Sequence, residues 1–267
     1  MDLGNAFDPA ELSPLHPTSP VSKAYTSYQR LIQSAGGTHA TDTPFGGKLL
    51  FAGELDEEGC SIVMAGNVAG CATLATTADP GAQKHAIRDG IIDFLVTSLD
   101  EALRILKNEI RKHASVAVCV GMPTAEIEAE MLERGVQPDI TRQSVTEGQH
   151  ASLNPSQADA EPMRAPATIG WQVEDSPAKW LPRFDAIALE CLDRADVWNR
   201  RWISHAPRYL GRVAPKQRMV QGDREFAAKF VERLRTSFQK GEINTAATVL
   251  VSSNAGWEEH YFPSRPQ

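Results

Sequence analysis

A chain of 267 residues with 42% hydrophobic and 23% charged residues can hold one large domain or two modest ones, and can bury a core without disulfide or metal staples. The net charge of −7 argues against a nucleic-acid binder, because neutralising phosphates needs a basic surface, and only Arg194 to Arg218 runs locally basic. The first twenty residues are acidic and proline-rich rather than basic then apolar, and no apolar run approaches the ~20 residues of a membrane span, so the chain is expected to be cytoplasmic with no membrane partner.

In chain order, Pro9, Pro14, Pro17 and Pro20 among serines and threonines resist regular structure and predict a draped leader. Tyr25, Tyr28, Leu31 and Ile32 give helical spacing over Ser22 to Ser34. Lys48 to Phe51 reads as a first strand, and the small-residue run Ile62 to Ala69 as a helix able to lie close on a sheet through Gly66. Between them lies the turn Gly53-Glu54-Leu55-Asp56-Glu57-Glu58-Gly59. Leu74 to Thr77 predicts a second strand, Pro80 to Arg88 a helix, and Ile91 to Val96 a third strand.

Ser98 and Glu101 form a Ser-x-x-Glu capping box for a helix whose buried face is Leu99, Ala102, Leu103, Leu106 and Ile110. Val116 to Val120 is a β-branched run suited to a strand covered on both sides. Ile127, Met131 and Leu132 mark the next helix, Gly135 its stop, and Val136 to Ile140 the last strand. This order makes the chain an α/β protein: a mainly parallel sheet between helical layers, with ligands expected outside the carboxyl ends of the strands. Gly53 to Gly59, Thr77 to Asp79, Thr97 to Ser98, Gly121 to Pro123 and Thr141 to Thr146 fall along that rim.

Gln143 to Pro166 has the composition of a linker. Beyond it Phe184, Ile187, Ala188, Cys191, Ala195, Trp198 and Trp202 step at helical intervals. Phe226, Phe230, Leu234 and Phe238 do so again between an Asp223 cap and a Gly241 stop, and Ala246 to Val251 reads as a strand. The expected organisation is a leader and helix over 1–43, the sheet domain over 44–145, a linker over 146–169, and a mostly helical region over 170–267.

The four cysteines, Cys60, Cys71, Cys119 and Cys191, include no Cys-x-x-Cys pair and read as packed thiols, with no metal site. A nucleophilic Cys119 is disfavoured because an apolar strand raises a thiol's pKa. The seven histidines show no metal-binding pair and receive no role. Asp56, Glu57 and Glu58 read as a solvated charge run before a divalent-cation site. Trp198, Arg200, Arg201, Trp202, Arg208, Tyr209 and Arg212 read as core or subunit tryptophans on helices whose arginines face water, which leaves a homo-oligomer or protein partner through the C-terminal helices as an expectation.

The alternating segment also resembles a known family. The ordered fragments Gly47-Lys48, Ala52-Gly53, Ala69-Gly70, Arg88-Asp89-Gly90-Ile91-Ile92-Asp93, Ser98-Leu99-Asp100-Glu101-Ala102-Leu103 and Arg134-Gly135-Val136-Gln137-Pro138-Asp139-Ile140 are similar to the Rossmann-like domain of urocanate hydratase (urocanase). Urocanases use a tightly held NAD+ as an electrophile to hydrate urocanate in histidine catabolism. The resemblance implies a Rossmann-like three-layer αβα fold and an NAD site at Gly53, Gly59, Thr77, Asp79, Gly121, Gln143 and Ser144, with Thr77 or Asp79 at the ribose. Where the family has Gly-Leu-Gly-Gly-Met-Gly-Gly-Ala-Gln-Pro, this chain has Gly-Glu-Leu-Asp-Glu-Glu-Gly-Cys-Ser-Ile. Asp56, Glu57 and Glu58 thus stand at the phosphate position and oppose an anion there.

No counterpart of the family's other active-site blocks is recognised. The expected function is therefore a stand-alone homologue of the cofactor domain that binds NAD or a related nucleotide without being a complete hydratase. Two alternatives stand beside it: a urocanate hydratase-like hydro-lyase completed by a partner, and a scaffold or regulatory module that has lost the nucleotide.

Overall fold

A computed structural model of the protein describes residues 13–34, 45–147, 165–254 and 256–264. The chain divides into two compact units, one formed by Ala24–Pro155 with His205–Arg212, the other by Met1–Lys23, Ser156–Ser204 and Val213–Gln267. Most of the predicted leader, and most of the predicted linker, lie outside the described residues. Ser13 to Ser19 form turns that lead into helix α1, Pro20–Ser34, on which Tyr25, Tyr28 and Leu31 are fully buried.

The first unit is built on a five-stranded parallel sheet. Its strands are β1 (Leu49–Glu54), β2 (Ala72–Thr76), β3 (Phe94–Val96), β4 (Val116–Val120) and β5 (Ile140–Thr141), ordered β3-β4-β2-β1-β5. Helices α2 (Glu57–Ala69), α3 (Pro80–Arg88), α4 (Leu99–Arg111), α5 (Thr124–Glu133) and α6 (Arg142–Glu147) follow the strands in turn.

Strand alternation sorts the side chains. Leu49, Phe51, Ala72, Leu74, Val116, Val118 and Val120 form one core with Leu99, Leu103 and Leu106 of α4 and Ile127 and Met131 of α5. Leu50 and Thr73 point the other way, against Gly66 of α2. The sheet is thus covered on both faces, the condition that permits uninterrupted β-branched strands such as β4.

Two predicted strands are shorter than expected. Ile91 and Ile92 do not join β3, because their amides turn back to the Ala86 carbonyl and Gly90, at φ +71°, reverses the chain. Val136 to Pro138 do not join β5: the Val136 amide closes α5 on Met131 O, and Pro138 has no N–H to offer a ladder. Asp139 then substitutes its side chain for a strand's backbone, accepting from Leu49 N and Lys48 Nζ, both at 2.9 Å. Gln143 is helical, not linker.

In the second unit the helical spacing read from Phe184 to Trp202 is divided between α7 (Pro177–Cys191) and α8 (Val197–Leu210, whose end belongs to the first unit), with Ala195 in the break, while the spacing read from Phe226 to Phe238 is α9 (Arg224–Lys240). Asp223 caps α9, accepting from Phe226 N, and Gly241 stops it at φ +76°. The strand predicted from Ala246 is β8 (Ala247–Ser253). Three further strands, β6 (Pro166–Val173), β7 (Gln217–Asp223) and β9 (Gly256–Phe262), complete an antiparallel sheet ordered β7-β6-β8-β9.

Ile169, Trp171, Val173, Val249 and Val251 share one sheet face. Trp171 meets Phe230 of α9 at 5.0 Å, which places that helix on this face. On the same face Arg218 is buried and donates to Asp185 of α7 at 3.3 Å, while Trp171 Nε1 donates to the carboxylate's other oxygen at 3.3 Å. Burial pushes the Asp185 carboxyl up to about 6 against the pull of Arg218 and the indole. The tryptophan reading holds for Trp202, which is buried with Nε1 donating to Met219 O at 2.7 Å. Arg200 is a correction: rather than facing water it donates to Leu189 O at 2.6 Å, satisfying a carbonyl at the end of α7.

Two outcomes are expected in urea unfolding. Gly59→Ala would place its Cβ 1.9 Å from the Glu54 carbonyl oxygen, so it should lose about 1–3 kcal/mol despite alanine's better helix propensity. Arg218→Met should lose about 3 kcal/mol by leaving the Asp185 carboxylate buried without its cation.

Candidate functional site

The carboxyl end of β1 bends at a register shift between Phe51 and Gly53. Gly53, at φ +70°, takes a conformation that L side chains avoid. The chain then enters α2 at once. Asp56 is the N-cap, its carboxylate accepting from Gly59 N at 2.8 Å, and Glu57 and Glu58 occupy the first turn. Carboxylates here are favourable to the helix, because its exposed amides carry partial positive charge. The segment read as a solvated charge run is therefore the start of a helix.

Arg142, the first residue of α6, closes this end. Its guanidinium donates to Asp56 Oδ2 at 2.9 Å, to Glu58 Oε2 at 2.7 Å, and to the Glu54 carbonyl at 3.2 Å. Arg142 is in turn held by Thr146, whose hydroxyl donates to the Arg142 carbonyl at 2.9 Å. Partial burial works to raise the Asp56 carboxyl, but the Arg142 bond and the Gly59 and Glu58 amides outweigh it and hold the group below its ordinary 3.8.

Beside this clasp lies a cleft of about 670 Å³ between β1, α5, β5 and α6. Phe51, Met131, Val136 and Pro138 form its apolar part. Glu54, Glu58, Glu128 and Glu147 set four carboxylates against the single guanidinium of Arg142. Thr124, at the start of α5, donates to Glu54 Oε2 at 2.7 Å and lies 2.7 Å from the Thr76 hydroxyl. These bonds fix the Glu54 carboxylate at the mouth.

The expected site residues divide into two groups. Gly53 and Gln143 line the cleft. Gly59 is buried beneath the turn, and Ser144 is engaged with Thr141, donating to its carbonyl at 2.7 Å. Thr77, Asp79 and Gly121 lie instead at the ends of β2 and β4. There Gln83 Nε2 donates to the Thr77 carbonyl at 2.9 Å, and Asp79 caps α3 through Gly81 N at 2.8 Å. Gly121 donates to Val96 O at 2.9 Å.

Sequence reasoning passed over Arg142 as an individual, although it is the one cation in the Thr141 to Thr146 rim. Cys119 is fully buried, and burial, then the charge of Glu54, pushes its thiol up to about 12. It is thus a packed thiol, as expected. Among the described residues no group of three metal-ligating side chains occurs, and no helix is long and apolar enough to cross a membrane.

A pyrophosphate set at the start of α2 would meet Asp56, Glu57 and Glu58, with the Gly59 amide already bonded to Asp56. The residues present do not fit it there. Because the Asp56 carboxyl is held low in the folded state, the stability it contributes is present above pH 3.8 and fades as the pH falls through its depressed value. The stability gap between wild type and Asp56→Ala should therefore be full at neutral pH and close in strong acid, as followed by urea unfolding.

The parallel sheet, its helices on both faces and the rim just described coincide with a match to a protein family. Residues 27–167 match the urocanase Rossmann-like domain, a family whose members bind NAD. The match takes in all five parallel strands and both sides of the cleft. The chain belongs to the urocanase Rossmann-like domain family.

Proposed function

We propose that this chain is a urocanase-related Rossmann-like domain that serves as a binding or regulatory module without holding NAD at the α2 turn and without hydrating urocanate by itself. The observation that carries this reading is the Arg142 clasp. The strand-to-helix turn that would face a pyrophosphate is filled by Asp56, Glu58 and a guanidinium already bonded to both. A dinucleotide would have to displace an ion-paired network while bringing further negative charge against Glu54 and Glu57. The acidic cleft beside the clasp favours neutral or cationic ligands by the same electrostatics.

The test is to denature the purified protein and search the supernatant for nucleotide by mass spectrometry, then to follow thermal unfolding with added NAD+. No released NAD, no shift, and unchanged urocanate absorbance in the presence of NAD+ are expected. The triple variant Asp56→Asn, Glu57→Gln, Glu58→Gln keeps a capping side chain and frees Arg142, so it should acquire a thermal shift with NAD+. Stoichiometric NAD released from the wild-type protein would overturn the reading in favour of a cofactor-binding homologue, and consumption of urocanate would establish the hydro-lyase.

A further inference from the structure

The second unit carries a surface that the family relationship does not explain. Strand β9 is an edge of the antiparallel sheet, paired along its length to β8 with no register shift and, among the described residues, to no other strand. Edge strands are ordinarily guarded by charges, proline or a bulge. Gly256–Phe262 has no proline, lysine or bulge, and the guard it does carry is acidic, Glu258 and Glu259. Alternation places Trp257, Glu259 and Tyr261 on one face of the strand, opposite to Phe262, which stacks on Phe238 of α9 at 4.8 Å. The two aromatics are 64% and 63% exposed.

The same face opens into a cleft of about 790 Å³ lined by Leu15, His16, Gln172, Leu250, Trp257 and Glu259, among others. Pro14 and Leu15, which line it, pack on Gly170 of β6 so closely that a Cβ there would lie 2.7 Å from Pro14 Cγ. Glu174, Glu258 and Glu259 line this cleft; Lys216 lies 3.8 Å from Glu174 and Arg224 3.7 Å from Glu258, so among the described residues Glu259 is the lining carboxylate with no cation at ion-pair distance.

We propose that β9 is a docking edge for a basic, extended peptide segment that adds to the sheet as a fifth strand. Main-chain pairing supplies the affinity common to strand addition, and side chains on alternate positions supply the selection. A lysine or arginine opposite Glu259 would face a carboxylate, with the Trp257 and Tyr261 rings each about 7 Å along the strand. Cross-strand charge pairing and cation–π attraction act together at that position. Self-pairing is disfavoured by the same residues, because central antiparallel registers of two β9 strands bring Glu258 and Glu259 of one copy against those of the other. The edge is thus closed to itself and open to the opposite charge.

The experiment uses the full chain and a fluorescein-labelled short peptide alternating valine and lysine, read by fluorescence anisotropy. Binding that weakens with salt is expected, with a loss of roughly tenfold or more in Glu259→Lys, where attraction becomes repulsion. Glu133→Lys, with the same charge change on exposed α5, should bind as the wild type does. The peptide N-methylated on alternate amides should lose binding to the wild-type chain, and circular dichroism confirms that both variants fold. Failure of the basic peptide to bind, equal binding by Glu259→Lys, or full binding of the N-methylated peptide overturns the proposal. So does sedimentation of the wild type as a dimer that Tyr261→Ala dissolves, which would make a second copy the occupant.

Discussion

The contact on which the candidate site turns is the three-way bond of Arg142 to Asp56, Glu58 and the Glu54 carbonyl. It joins the end of β1, the start of α2 and the start of α6 through one side chain. Without it, three acidic groups at adjacent positions would repel one another at a helix end whose amides can satisfy only part of their charge. With it, two of the three share one guanidinium, and the geometry of the turn is set by Gly53 and Gly59, the two glycines that allow the strand to pass directly into the helix. The glycines thus perform the steric task of a nucleotide-binding turn while the carboxylates perform a different electrostatic one.

Much of the first unit was legible because its signals were local. The β-branched run Val116–Val120, the Ser98 cap and the Pro80 helix start each specify an element through their own backbone needs, and each appears where the residues placed it. The misplaced boundaries share a cause. Ile91, Ile92 and Val136 are apolar enough for strands, but their amides are spent on finishing the preceding helices. A hydrophobic pattern does not record that choice.

The second unit was harder to read for a different reason. In β7 the residue facing the helices beside Val220 is Arg218, buried only because Asp185 waits on α7. In β6 the open face carries Gly170, which fits because Leu15 comes from far away in sequence to cover it. Each strand looks irregular until its distant partner is known. Arg142 escaped notice on the same ground: it lies some eighty residues from the carboxylates it binds, and spacing along the chain does not mark it as their partner.

The way the units are threaded through the sequence has a consequence for synthesis. Residues 205–212 belong to the parallel-sheet unit, where Tyr209 OH lies 2.9 Å from Ser115 Oγ and Arg212 donates to the Arg88 carbonyl at 2.8 Å. The other unit needs Leu15 to cover a sheet whose strands are made much later, from Pro166 to Phe262. A nascent chain therefore carries all five parallel strands past the limit of the family match before residues 205–212 complete their unit, and the antiparallel sheet is finished only once β9 has been made.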